Sequence, residues 1–187
     1  MLFGVVIFGG QYNHLIIKNL RNLGVDVIQI PFSQIELFEK PDCVVLGGGP
    51  QSVIDNSEEL SQVIKIIPTL RKPILGICLG FQVLSASLGG KVVKSNRPEY
   101  GLTEIQIDNN DTILDGIPRK FNAWESHSDE VLVQPENFDI LARSTNDIIQ
   151  AISNEKRGIF GVQFHPEVKH TRFGVKVFSN FISYCKK

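Results

Sequence analysis

Four short apolar runs, Leu2–Phe8, Val25–Ile30, Cys43–Leu46 and Ile74–Ile77, alternate with helical patterns through the first half of the chain. The helical patterns cover roughly Asn13–Leu23, Ser57–Leu70 and the stretch from Cys78 to Leu88. In the first of them Ile16, Leu20 and Leu23 fall near one face and Gly24 stands where a C-cap belongs. Strand–helix alternation of this kind implies an α/β fold with a mostly parallel sheet and helices on both faces. Such sheets bind ligands at the carboxyl ends of their strands. Gly47-Gly48-Gly49 follows the third run and Cys78 follows the fourth, so both are expected on one edge of the sheet.

The second half is richer in strands. Thr103–Ile107, Val131–Val133, Ile140–Ala142, Ile148–Ile152 and Ile159–Phe164 read as short strands separated by polar turns. They predict an antiparallel extension and a final strand that carries His165. A closing helix is expected at about Arg172–Tyr184, with Phe173, Val177, Phe181 and Tyr184 near one face. There is no linker, repeat or low-complexity stretch, and residues 1–187 read as a single domain.

Bulk properties exclude several classes. Nineteen basic residues against 20 acidic ones leave a net charge of −1, and no basic or aromatic-basic patch points to nucleic acid. Cys43, Cys78 and Cys185 are too few and too widely spaced for a disulfide scaffold, which favours a reducing, cytoplasmic setting. No Cys/His cluster has metal-ligand spacing. The Leu2–Phe8 run lacks a basic flank and continues into Gly9-Gly10, so it reads as a core strand and not as a signal peptide. No apolar stretch approaches the length of a membrane span.

The chemistry centres on Gly76-Ile77-Cys78-Leu79-Gly80. A strand ends, a helix begins, and a cysteine sits at the junction between two glycines. Small residues let the backbone take a strained turn that pushes the reactive atom into the open. The helix N-terminus behind it favours the thiolate. The bland alternative is a structural cysteine at a tight turn. A second motif, His165-Pro166-Glu167, follows the last strand-like run. Pro166 biases His165 towards extended geometry, in which side chains two apart lie on the same side. A histidine near a cysteine serves as general base, and a carboxylate beside it fixes its tautomer and stabilises the imidazolium. A lone His-Pro-Glu is most often a surface turn; with a cysteine at an elbow, the catalytic reading prevails. On chemistry alone His127 is a rival base, the weaker one because it lacks that motif. His14 reads as a helix-face residue, and Trp124 and Phe121 as core or pocket wall. Cys43 and Cys185 read as inert.

At these residues the chain resembles the class I (triad) glutamine amidotransferases. The resemblance rests on Gly76–Gln82, on His165-Pro166-Glu167, and on the glycine-rich Leu46-Gly47-Gly48-Gly49-Pro50-Gln51-Ser52. Val168-Lys169-His170-Thr171-Arg172, Phe8-Gly9-Gly10-Gln11-Tyr12 and Glu99-Tyr100-Gly101 are similar to the glutaminase part of GMP synthases, in order along essentially the whole chain. Gly9-Gly10 stands where Gly-Ser is more usual, and Pro98 separates Arg97 from Glu99. The resemblance implies a flavodoxin-like class I glutaminase fold. It implies a Cys78–His165–Glu167 triad and an oxyanion hole from the backbone N–H groups of Gly49 and Leu79. Glutamine would be held by Gln82 and by Ser126, His127, Ser128 and Asp129. It implies no cofactor or metal in this chain. No phosphate loop of the Ser-Gly-Gly-x-Asp-Ser kind is present, so Mg-ATP and xanthosine 5′-phosphate (XMP) are expected on a separate GMP synthase ATP pyrophosphatase subunit. Residues 99–101 and 169–172 are the candidate contacts with it. Two alternatives stay open: the glutaminase subunit of another synthase, such as anthranilate synthase, and a catalytically silent regulatory module.

Overall fold

The structure is a computed structural model and describes residues 1–55 and 58–187. Among these, nine strands form one sheet in the order β2-β1-β3-β4-β9-β8-β7-β5-β6. Strands β1 (Leu2–Ile7), β2 (Asp26–Pro31), β3 (Cys43–Leu46), β4 (Ile74–Ile77) and β9 (Ile159–Val162) run parallel. Helices α1 (Asn13–Asn22), α2 (Glu58–Ile66) and α3 (Leu79–Ser87) follow β1, β3 and β4. The expected start of α2 at Ser57 lies outside the described residues. The parallel part has the flavodoxin-like order, with β9 entering as the fifth strand.

The central strands are apolar throughout because both faces are covered. Alternate side chains enter opposite cores. Phe3, Val5, Val45, Leu75, Ile77, Phe160 and Val162 pack with α1 and with α4 (Gly174–Cys185). Val6, Val44, Leu46, Ile74 and Ile159 pack with α2 and α3. Phe181 of α4 meets Phe3 and Phe160 edge-on at centroid distances of 5.9 and 6.1 Å. Each such pair adds about 0.5–1.5 kcal/mol beyond the area it buries.

The second half departs from the expected short strands. Thr103–Ile107 and Val131–Val133 are the ends of two long ones, β5 (Lys91–Ile107) and β6 (Lys120–Val133). They pair as an antiparallel ribbon from Gln106↔Lys120 to Lys91↔Val133, with a register irregularity between Lys94 and Glu99. Pro98 falls in that irregularity, where no ladder donor is needed. The ribbon joins β9 through β7 (Asp139–Ser144) and β8 (Ile149–Asn154), both antiparallel. Strand β9 ends at Val162, so His165 lies in the turn beyond it and not on the strand.

Candidate active site

The ends of β1, β3, β4 and β9 and one side of the β5–β6 ribbon surround a pocket of about 440 Å³. Cys78, His165, Glu167, Gly49, Leu79, Gln82 and Ser126–Asp129 all line it.

Cys78 stands between β4 and α3 with φ +53° and ψ −111°. A side chain in that region strains the backbone. The turn is held because the Cys78 N–H donates to Val162 O at 2.9 Å and the Gly80 N–H to Gly47 O at 3.0 Å. The thiol is not in the open, as an elbow would suggest: Cys78 is only 6% exposed and forms a pocket wall. Glycines make this crowding possible. A Cβ on Gly76 would lie 2.7 Å from Gly80 O, and one on Gly80 would meet Leu46 O. With the thiol absent in both variants, Cys78→Gly is expected to be more stable than Cys78→Ala by about 1 kcal/mol, since only glycine takes this φ without strain. Urea unfolding of the two variants measures the difference; equal midpoints would mean the elbow stores no strain.

His165 and Glu167 meet across a turn and not along an extended strand, which corrects the geometry assumed from their spacing. His165 Nδ1 is 2.7 Å from Glu167 Oε1. The turn is pinned on three sides. Thr171 Oγ1 donates to His165 O at 2.6 Å, the His165 N–H donates to Trp124 O at 2.9 Å, and Asn19 Nδ2 donates to Glu167 O at 3.1 Å. Tyr12 sets its ring edge-on against His165 at 5.0 Å. A Cβ on Gly48 would lie 3.3 Å from His165 Cε1 and 3.9 Å from Cys78 Cβ, so both side chains face this bare loop. Burial alone would pull His165 down. The charges of Cys78 and Glu167, with the Glu167 hydrogen bond, outweigh burial and hold it well above its usual 6.5.

The glycine loop presents backbone donors. Among the described residues, neither the Gly49 nor the Leu79 N–H donates to a protein acceptor. The Gly48 carbonyl accepts from Gly10 N at 3.2 Å and from Asn13 Nδ2 at 3.1 Å. Across a trans peptide the Gly49 N–H points the opposite way. Gly10 has no room for the more usual serine here, because its Cβ would run into the Gly48 carbonyl.

The segment 126–129 closes the pocket. Ser126 O lies 3.8 Å from Cys78 Sγ, Ser128 is exposed, and Asp129 Oδ2 accepts from Ser52 Oγ at 2.5 Å. Gln82 Nε2 is committed to Asp129 O at 2.9 Å and Gln163 Oε1 at 3.2 Å, leaving its own oxygen as the freer end. His127 is in no position to rival His165. Its Nδ1 faces Asp129 O at 2.9 Å, and its Nε2 lies 3.2 Å from Glu99 Oε2 and 3.3 Å from Glu125 Oε2. Burial pushes Glu125 up to about 7, while Glu125 and Glu99 overcome the burial of His127 and raise it to about 10. Glu99 is thus buried and not part of a docking surface, whereas Tyr100 beside it is 67% exposed at the pocket rim. Sequence reasoning gives no role to Asn13 or Asn19, whose partners Gly48 and Glu167 lie far along the chain, nor to Glu125, whose place beside His127 shows only once β6 packs against Glu99.

The parallel sheet, the elbow cysteine and the paired histidine and glutamate define a class, and the chain belongs to it. A family model for glutamine amidotransferase class-I matches residues 5–184. Two relatives, from Sulfurisphaera tokodaii and Sulfolobus acidocaldarius, are each named as one subunit of a glutamine-hydrolyzing GMP synthase. Each is 50% identical over 188 residues, with 100% of both chains covered. A crystal structure from Thermoplasma acidophilum, provisionally assigned as the corresponding GMP synthase subunit, superposes with a TM-score of 0.93 at 36% identity, covering 100% of this chain and 94% of that one. Among the described residues no helix is long and apolar enough to cross a membrane.

Proposed function

We propose that this chain is the glutamine-hydrolysing subunit of a two-chain GMP synthase, working in the cytoplasm. It releases ammonia from L-glutamine for amination of XMP on a separate ATP pyrophosphatase subunit. The observation that carries the reading is the His165–Glu167 hydrogen bond set beside Cys78 in a pocket where the Gly49 and Leu79 N–H groups donate to no protein acceptor among the described residues. The full-length relatives named for GMP synthase support the choice of synthase.

Cys78 gives its thiol proton to His165 Nε2, and the resulting thiolate attacks the side-chain amide carbon of glutamine. The negative charge moves to the amide oxygen, which the Gly49 and Leu79 N–H groups receive. Such donors contribute about 3–4 kcal/mol each to the transition state. With Nδ1 held by Glu167, His165 uses Nε2 to protonate the departing nitrogen. The C–N bond breaks, ammonia leaves and a γ-glutamyl thioester remains. His165 then takes a proton from water, which attacks the thioester, and glutamate departs as Cys78 is regenerated. The backbone of Ser126–Asp129 holds the α-amino and α-carboxylate groups, and Gln82 turns its amide into the same pocket. No cofactor or metal takes part in these bond-making steps; Mg-ATP acts on the partner.

Asn13→Ala is expected to lower glutaminase kcat by up to about tenfold with little change in KM. It removes one of two bonds that orient the Gly48–Gly49 peptide, and a hydrogen bond of this kind is worth about 0.5–1.5 kcal/mol. A rise in KM at constant kcat would place Asn13 in substrate binding instead.

The proposal is tested by mixing the chain with an ATP pyrophosphatase subunit, XMP, Mg-ATP and glutamine. GMP formation that requires both chains and consumes glutamine is the expected result. If the mixture makes GMP from ammonium salts but never from glutamine, the reading fails.

A further inference from the structure

The ribbon β5–β6 gathers three ligating side chains that the mechanism above does not use. Glu99 on β5 and Glu125 and His127 on β6 face each other across the pair, with side chains 2%, 0% and 1% exposed. Their ligating atoms all lie within 4.8 Å of one another. His127 Nε2 is 3.2 Å from Glu99 Oε2 and 3.3 Å from Glu125 Oε2. Four-coordinate zinc, with bonds of about 2.0–2.2 Å to nitrogen and oxygen, places neighbouring ligand atoms about 3.4 Å apart. The imidazole nitrogen therefore already stands from each carboxylate at the spacing of two ligands on a common centre.

Three further observations point the same way. Neither oxygen of Glu125 accepts a hydrogen bond, although the side chain is fully buried. A buried carboxylate without donors calls for a counter-charge. The surrounding groups are those that orient metal ligands. His127 Nδ1 donates to Asp129 O at 2.9 Å, which aims Nε2 at the two carboxylates, where an ion would take the place of its proton. Glu99 is fixed by Asn146 Nδ2 at 2.9 Å and Gln150 Nε2 at 2.8 Å. Charge also balances. Two carboxylates with a neutral imidazole carry −2, which one dication cancels; without the ion, an imidazolium and a protonated Glu125 leave Glu99 balanced instead. His127 is also one of the residues that line the glutamine pocket.

We propose that Glu99, Glu125 and His127 hold a divalent transition-metal ion of the zinc class, beside the triad and separate from its bond-making steps. Two carboxylates and one imidazole suit zinc or manganese better than the thiolate-seeking metals. The ion ties both strands of the ribbon together behind Ser126–Asp129. The expectation of no metal site rests on spacing along the chain, whereas Glu99 stands 28 positions from His127 and 26 from Glu125 and meets them across a strand pair. This inference is independent of which synthase the chain serves.

The test uses the full-length chain with Cys78→Ser, so that the catalytic thiol does not capture zinc. Equilibrium dialysis against zinc chloride is expected to give one equivalent bound, with a thermal midpoint that rises with zinc concentration. Cobalt(II) in place of zinc should show absorption of a low-coordinate site without a thiolate charge-transfer band. Glu125→Gln, which preserves shape, is expected to weaken zinc binding by about 100-fold or more, because a direct ligand matters at least as much as the surrounding groups whose loss costs about 10–100-fold. Glu99→Gln should do the same and serves if Glu125→Gln does not fold. Absence of a stoichiometric zinc ion in the Cys78→Ser chain overturns the proposal and leaves protons as the counter-charge. Unchanged affinity in either glutamine variant also overturns it, since the ion would then sit elsewhere.

Discussion

Replacing Cys78 by alanine is expected to abolish glutamine-dependent GMP formation, by at least about 10⁴-fold in kcat, while ammonia-dependent formation by the complex stays at the wild-type rate. Members of a catalytic unit fail together, and losing the nucleophile alone removes nearly the whole advantage of the set. Ammonia bypasses the thioester, so the partner reaction does not need the thiol. Alkylation should report the same residue. A glutamine-like electrophile is expected to label Cys78 first, although Cys185 is the more accessible thiol and Cys43 is buried. Accessibility does not favour Cys78; its contact with His165 does. The Cys185 thiol is pushed up by its contact with Cys43 and by burial, which keeps it unreactive. A peptide map with Cys185 or Cys43 labelled first would overturn the assignment of the nucleophile.

The second large effect is expected from Glu167→Gln. The substitution keeps the 2.7 Å contact to His165 Nδ1 but removes the charge. Loss of an orienting carboxylate costs about 10⁴-fold in comparable triads, less than loss of the nucleophile. The pH profile adds a sign. His165 is held well above 6.5 by Cys78 and Glu167 against the pull of burial. The imidazolium that protonates the leaving nitrogen therefore persists through neutral pH and is lost as pH rises through that elevated value. Without the Glu167 charge the elevation shrinks, so the alkaline fall in kcat should move to lower pH. A profile of unchanged shape, with kcat near wild type, would place the orienting group elsewhere. Asp129 is a poor substitute, since its carboxylate is engaged by Ser52.

A freely running glutaminase wastes glutamine, so the state of the pocket before the partner docks matters. The Gly48 carbonyl is already drawn towards Gly10 and Asn13, and the Gly49 N–H donates to no protein acceptor among the described residues. Low activity of the isolated chain, if measured, would then have its cause in glutamine binding or ammonia release and not in a flipped loop peptide.

What the sequence determined by itself is the part of the molecule built from local pattern. Cys43–Leu46 and Ile74–Ile77 are strands at the bounds their apolar runs predict, because strands buried on both faces must be continuously apolar. The elbow at Cys78 was legible because the strand, the flanking glycines and the helix are contiguous. His165-Pro166-Glu167 was legible as a pair, although it closes through a turn and not through strand alternation. Tertiary structure decided the rest. The long ribbon was invisible because Lys94–Glu104 is polar and carries Pro98 and Gly101; it is a strand only because β6 pairs with it. The meeting of Glu99 with Glu125 and His127 depends on that register, and a one-residue slip would turn Glu99 to the other face. Selection of His165 over His127 was likewise three-dimensional. Both imidazoles are buried beside the pocket, and only the fold commits one to Glu167 and the other to two carboxylates and a backbone carbonyl. Spacing along a chain records which groups share a strand or a turn, whereas the field around a buried titratable group is set by residues brought from elsewhere in the sequence.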